Sequence, residues 1–409
     1  MSVLGDDSDP WQYPALLAGL TAAIAAVGAT IFAMSPMLAD IAASFDVPAA
    51  RAGRLIGIYS LAMAIVAPVV GLLGRRVPRT QIIVGGLAIF AAAWLVGVLA
   101  EHFELLLGCT LVAGAATGAV IPAAYAYAAD LSSFAQRARV MGLVISGWSI
   151  AILAVVPLMS VAAQALGWRH AFAALALAAL AAAWVLLMAR RPRRMAGVQA
   201  SAEDDAPALG ASLRRVLGHR PTRIVLLANM ADMGAFYGVY GFLGSELRRL
   251  NDWGAAPAGL VVACYGLGLS LVSFNGRLID RFGKTRAAVG SLLLLGALLA
   301  LLPWLLQLPV LLVAGMVAWG FMQGAFFTSI TALCTEQVPA LRGVATAMLS
   351  GSTYLGVTLF SPLAVWLYEY AGMAFVGIAA GLTCAFAGLM LHLMRDSVAA
   401  VERYAPPER

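Results

Sequence analysis

One carboxylate in this chain lies where a carboxylate is costly. Asp232 sits inside an apolar stretch with no other charged residue between Arg223 and Glu246, whereas the other acids fall in loops or near helix ends. An ionised Asp at mid-bilayer costs about 2.5 to 3.5 kcal/mol on insertion scales, so such a residue calls for a reason. Removal from water favours the neutral acid, which suits a group that loads and releases a proton as its surroundings alternate between wet and closed. Two other roles fit the same residue: a counter-charge for a cationic solute, or a protonated or paired Asp that holds helices together. Other chemistries lack their residues. The sequence has no phosphate-binding Walker loop, no His/Cys cluster for a metal and no G-x-S-x-G nucleophile turn, which argues against ATP-driven transport, metal chemistry and enzymology and implies no cofactor.

The elements that must carry Asp232 are membrane helices. With 62% hydrophobic and 11% charged residues among 409, and a mean hydropathy of +0.90, the chain is too apolar for a water-soluble globule of this length. A spanning helix needs about 20 mostly apolar residues. Twelve such stretches occur, near 14–38, 54–73, 81–100, 105–129, 139–163, 168–189, 222–246, 257–279, 286–306, 309–334, 343–367 and 372–394. If both termini are cytoplasmic, 21 of the 26 Lys and Arg face the cytoplasm, leaving Arg51, Arg54, Arg169, Arg248 and Arg249 opposite. The net charge of +6 is accounted for by this bias and calls for no nucleic acid. Asp6, Asp7 and Asp9 stand where a cleavable signal would be basic, so the first span is expected to serve as its own insertion signal. Cys109, Cys264, Cys334 and Cys384 lie in apolar segments and read as small packing residues.

The twelve stretches form two sets of six. At an offset of 205 residues Gly71 falls on Gly276, Leu73 on Leu278, Arg76 on Arg281, Thr80 on Thr285, Gly85 on Gly290, Arg137 on Arg342 and Pro157 on Pro362. One register held from the second segment of each half to the fifth marks a duplication. The expected organisation is a first bundle over 1–189, a cytoplasmic linker over 190–221 and a second bundle with its tail over 222–409. Within the linker, the run Ala211 to Leu217 reads either as an amphipathic surface helix or, the preferred reading, as part of a solvated tether. Pro36, Pro68, Pro122, Pro157 and Pro362 are expected to kink their spans.

The run Gly276-Arg-Leu-Ile-Asp-Arg-Phe-Gly-Lys-Thr285 after the eighth span resembles the loop signature of the major facilitator superfamily. Asp130 followed by Arg137, Glu336 followed by Arg342, and the Gly167-Trp168-Arg169 run after Val156-Pro157-Leu158 extend the likeness to arabinose-efflux-like permeases of the drug:proton antiporter branch. In the first half the signature departs from the pattern: Arg75 stands at the acid's place and Pro78 at the glycine's. The resemblance implies an all-α fold of twelve transmembrane helices in two pseudo-symmetric six-helix bundles. It also implies a monomeric, multi-pass carrier in lipid, moving a small molecule by alternating access in a bacterial inner membrane.

The same resemblance has spans 1, 4, 7 and 10 line a central cavity, and their side chains can be sorted by the helical angle of 100° per residue. Span 7 groups Asn229, Asp232, Phe236 and Tyr240, and span 10 groups Trp319, Gln323, Phe326 and Phe327. Span 4 groups Thr110, Gly114, Thr117, Ile121 and Tyr125, and span 1 offers Thr30 and Met34. An aromatic cavity with few hydrogen-bonding groups suits an amphipathic organic molecule. Trp148 reads as cavity wall or, the favoured reading, as packing. A cytoplasmic gate is expected from Arg75, Arg76, Asp130, Arg137, Gly276, Asp280, Arg281, Glu336 and Arg342, whose acids can pair with Arg as the halves rock. Proton-coupled efflux is the leading expectation; proton-coupled uptake and a non-transporting sensor on the same fold remain open.

Overall fold

The computed structural model describes residues 10–73, 77–131, 137–189, 209–271, 279, 281–338 and 341–395, which are helical with no strand among them. In the first half the spans are α1 (Pro14–Ser44), α2 (Ala49–Leu73), α3 (Arg79–Gly97), α4 (Phe103–Leu131), α5 and α6 (Trp168–Met188). The fifth, α5, runs Arg137–Ile150, passes through a π-helical turn at Ala151–Val155 and continues as Val156–Leu166. The wide turn precedes Pro157, whose missing N–H and bulky ring disturb the regular ladder, and Val156 N–H reaches back five residues to Ala151. A short helix, α7 (Leu209–Gly218), leads into the second half. There follow α8 (Arg220–Asn251), α9 (Ala255–Ser270), α10 (Lys284–Leu305), α11 (Pro309–Gln337), α12 (Arg342–Ala371) and α13 (Met373–Leu393).

Eleven of these helices are long and apolar enough to cross a membrane, and α9 is a shorter apolar helix in the eighth position. The expected end of that span, near 279, falls partly outside the described residues. The reading of the linker as tether alone is corrected at its end. Leu209–Gly218 is helical, rests on α8 and α12, and buries Val216, because its apolar residues recur on one face between Arg214 and Arg215.

The halves repeat each other in packing as well as in sequence. In the first, α1 packs along α5 and α6, α2 along α4, and α3 along α4 and α6. In the second, α8 packs along α12 and α13, α9 along α11, and α10 along α11 and α13. Between bundles α1 meets α8, α2 meets α12 and α5 meets α9, a set that maps onto itself when the halves are exchanged. The fold is therefore two pseudo-symmetric six-helix bundles. Close approach rests on small residues, as expected where lipid removes the hydrophobic drive between helices. Gly268 of α9 lies against the Val317 carbonyl and Gly320 of α11 against the Tyr265 carbonyl, a reciprocal contact that leaves no room for a Cβ on either helix.

Candidate functional site

The α1–α8 contact is built from backbone groups that sequence features set free. Pro36 has no N–H, so the Phe32 carbonyl loses its helical donor, and the Tyr240 hydroxyl of α8 donates to it at 3.0 Å. One residue earlier the exchange runs the other way. The Ser35 hydroxyl donates to the Tyr240 carbonyl at 2.5 Å and accepts the Gly244 N–H at 3.0 Å, so it engages both the carbonyl and the N–H of one helical turn of α8. Ser35 and Tyr240 stand 205 residues apart, the offset of the duplication, so the pseudo-twofold axis passes between these repeat mates. Gly244 lets the backbones meet: a Cβ there would lie 2.5 Å from Pro36 Cα.

Toward the end of the molecule away from the linker, Arg248 of α8 donates to both carboxylate oxygens of Asp40 at 2.6 and 2.7 Å, and to the Pro36 carbonyl at 3.1 Å. A forked pair of this kind fixes geometry as well as adding attraction. The contacts of α2 with α12 and of α5 with α9 reach the same end, with Gly57 of α2 against Ser361 of α12 and the Ala256 N–H of α9 donating to Gln164 of α5 at 2.9 Å. Asp232 is not the sole buried acid on α8. Glu246 is 5% exposed, accepting from Arg249 at 2.7 and 2.9 Å and from the Tyr368 hydroxyl at 2.9 Å. Its place one turn from the helix end disguises this burial in the sequence, because it is α12 that covers it.

Inward of this closure lies an aromatic cluster. The Phe32 ring packs against Trp148 (6.1 Å), Phe236 (6.3 Å), Tyr237 (6.2 Å) and Tyr240 (5.2 Å), and so joins both bundles. Trp148 donates its indole N–H to the Tyr125 hydroxyl at 2.7 Å while lying on Gly28. It is at once packing and interface. Tyr237 also borders a small void shared with Gly53, Ile56 and Ser361.

The expected polar face of the seventh span divides between neighbours. Phe236 and Tyr240 face α1, but Asn229 donates to Leu349 O, Ser352 and Thr353 of α12, and Asp232 accepts from Gln323 of α11 at 2.5 Å. Asp232 is 1% exposed and thus faces neither lipid nor open solvent. It lies inside the second bundle. The correction has a simple cause: an arc of about 80° on a helix buried on all sides is wide enough to meet three neighbours. Trp319 and Phe326 are fully buried, Trp319 against Phe236 at 5.2 Å, whereas Phe327 is 46% exposed.

In the first bundle Thr117 shares a hydrogen bond of 2.7 Å with Tyr59, Thr110 bonds back to Leu106 O at 2.8 Å, and Thr30 and Met34 are buried. The Thr110 and Thr117 hydroxyls are thus satisfied within or between helices rather than presented to a cavity. A cavity of about 580 Å³ lies elsewhere, between α1, α5 and α6, lined by Leu17, Thr21, Ala25, Ile150 and Leu175 among others.

Two of the gate acids have a described basic partner. Asp130 pairs with Arg79 at 2.8 Å and Glu336 with Lys284, each bridge joining neighbouring helices of a single bundle. Arg79 and Lys284 are again 205 apart. Arg281 lies over the Phe282 ring at 5.9 Å. Arg75, Arg76, Gly276 and Asp280, and the side chains of Arg137 and Arg342, lie outside the described residues. Ser35, Asp40, Arg248 and Glu246 are functional candidates that the sequence reading missed. Opposite charges within about two turns of the outer ends of the first and seventh spans were the available signal.

Twelve apolar helices in two bundles that interlock around a common axis define a multi-pass membrane transporter for a small molecule. The particular family is shown by comparison: the chain matches the model of the Major Facilitator Superfamily over residues 18–251 and again over 224–408, and belongs to it. It is therefore a transporter and not an enzyme. The chain is 32% identical to the uncharacterized MFS-type transporter YwfA of Bacillus subtilis (strain 168), over 97% of this chain and 95% of that one. It is 30% identical to the chloramphenicol resistance protein of Streptomyces lividans (68% and 70% covered). It is 25% identical to a probable sugar efflux transporter of Helicobacter acinonychis (strain Sheeba), with 87% and 90% covered.

Proposed function

We propose that this transporter exports a small amphipathic organic compound in exchange for protons, by alternating access, with Asp232 as the coupling carboxylate. The observation that carries the reading is Asp232 itself, buried at mid-span with a single described side-chain partner, the neutral Gln323. A carboxylate held by a neutral amide rather than by Arg or Lys can change its protonation without breaking an ion pair. The efflux direction is supported by relatives named for chloramphenicol resistance and sugar efflux. The amphipathic substrate class is supported by the ring cluster of Phe32, Trp148, Phe236 and Tyr237 where the bundles meet.

The moving bodies in this reading are 1–189 and 222–409, joined by 190–221, in a monomer with both termini in the cytoplasm of a bacterial inner membrane. The bonds between bundles described above then hold the periplasmic side shut. The cytoplasmic gate falls to the loops bearing Arg75, Arg76, Asp130, Arg137, Gly276, Asp280, Arg281, Glu336 and Arg342. Everted membrane vesicles test direction and coupling together: energised vesicles should accumulate solute, and Asp232→Asn should abolish proton-linked accumulation while the protein remains in the membrane. Retained coupling in that variant, or accumulation only in right-side-out vesicles, would overturn the reading.

A further inference from the structure

We infer that Gln323 is a positioning residue that partners Asp232 in both of its protonation states by turning its side-chain amide. The inference rests on the reading of Asp232 as the coupling group. The Gln323 Nε2 donates to Asp232 Oδ2 at 2.5 Å, while the Oε1 of the same amide is buried with no donor. Gln323 is 3% exposed and Asp232 1%, so water is not at hand to complete either group.

An ionised carboxylate only accepts hydrogen bonds, and the Gln323 NH2 supplies one. Once Asp232 carries a proton, taken up when its surroundings are wet, and the site has closed again, one of its oxygens is a donor and needs an acceptor. The unused acceptor nearest to hand is Oε1 on the side chain already in contact, and half a turn about the last torsion of Gln323, which is soft, brings it to the carboxyl. Asp232 thus exchanges N–H···O⁻ for O–H···O=C without losing its partner. Because a buried polar atom left unpaired is expensive, an amide that serves both states removes a barrier to loading and to release alike.

The surroundings leave this task to Gln323. Asn229, one turn before Asp232, also has an unpaired carbonyl oxygen, but its amide nitrogen is fixed by three bonds to α12. Tyr265 of α9 and Cys384 of α13 lie within electrostatic range of Asp232, and both are ordinarily neutral. The charged groups flanking the pair on α8 and α11 are distant at 1.5 Å per residue: Arg223 about 13 Å and Glu246 about 20 Å from Asp232 along α8, and Glu336 about 20 Å from Gln323 along α11.

Infrared difference spectra of the purified full-length protein in lipid, recorded as pH is lowered, test the idea without knowledge of the substrate. The expected result is a protonated-carboxyl band absent from Asp232→Asn, rising together with a side-chain amide band that disappears in Gln323→Leu. Gln323→Leu should also lose at least tenfold in proton-driven transport, and Gln323→Met serves where the Leu variant does not fold. A carboxyl band with no accompanying amide band, or an amide band that survives Gln323→Leu and is lost in Asn229→Leu, refutes the role of Gln323. Absence of any Asp232 carboxyl band instead refutes the coupling role on which it rests.

Discussion

Replacing Gly244 by Ala should drive the two bundles apart at the end away from the linker. The added Cβ would stand 2.5 Å from the Cα and the N of Pro36 and 2.5 Å from the carbonyl carbon of Ser35, all backbone atoms with no rotamer to yield. Ordinary carbon contacts lie near 3.5 to 4.0 Å, so roughly 1 Å must open between α1 and α8. Overpacking of this kind costs about 1 to 3 kcal/mol. The helix gains by the change, because Ala is favoured over Gly in a helix interior by about 1 kcal/mol. On separation Tyr240 O and Gly244 N–H can pair within α8, so withdrawal of the Ser35 hydroxyl leaves neither orphaned. The penalty therefore falls on the closed arrangement and not on the fold, and about 1 to 3 kcal/mol shifts such an equilibrium roughly 5- to 150-fold. In a background lacking native cysteines, Ser361→Cys, which faces Gly57 across the same closure, should react faster with a bulky maleimide by a factor in that range. Unchanged or slower labelling of a monodisperse, folded Gly244→Ala protein would refute the reasoning.

Two further perturbations follow from the same packing. Asp40→Arg or Arg248→Asp alone should weaken closure at this end and raise the same labelling rate, because each leaves like charges face to face; the double exchange should restore the wild-type rate, and failure to restore it would show that the forked pair is incidental. Gly320→Ala should destabilise the second bundle by about 1 to 3 kcal/mol, since its Cβ would strike the Tyr265 carbonyl, and thermal unfolding in detergent should show a lowered midpoint.

The spans and their duplication were readable because both rest on properties of residue type: runs of apolar residues about 20 long, and glycines, prolines and arginines recurring at one offset. Asp232 was readable for the same reason, as a charge out of place. Its partner was not. Helical angle puts Asn229, Asp232, Phe236 and Tyr240 in one arc, but which neighbour each meets depends on how α1, α11 and α12 pack around α8, and packing geometry in lipid is set by small residues whose sequence signal is diffuse. The bonds of Asp130 to Arg79 and of Glu336 to Lys284 were not legible either, because each joins the end of one span to the start of another about 50 residues away, a meeting that only the packing of each bundle creates. The Ser35 contact left a trace in the sequence: a hydroxyl beside Pro36, with its repeat mate a tyrosine.

The meeting of Ser35 with Tyr240 has a consequence for ancestry. In a dimer of two identical six-span chains, a residue on the symmetry axis can touch only its own copy, so hydroxyl would face hydroxyl or ring would face ring, and any substitution would enter twice. Joining the copies into one polypeptide freed the two sites to drift separately. A short side chain that slips into a neighbouring helix, and a long one that reaches the carbonyl bared by proline, form a complementary couple that no symmetric ancestor could have encoded.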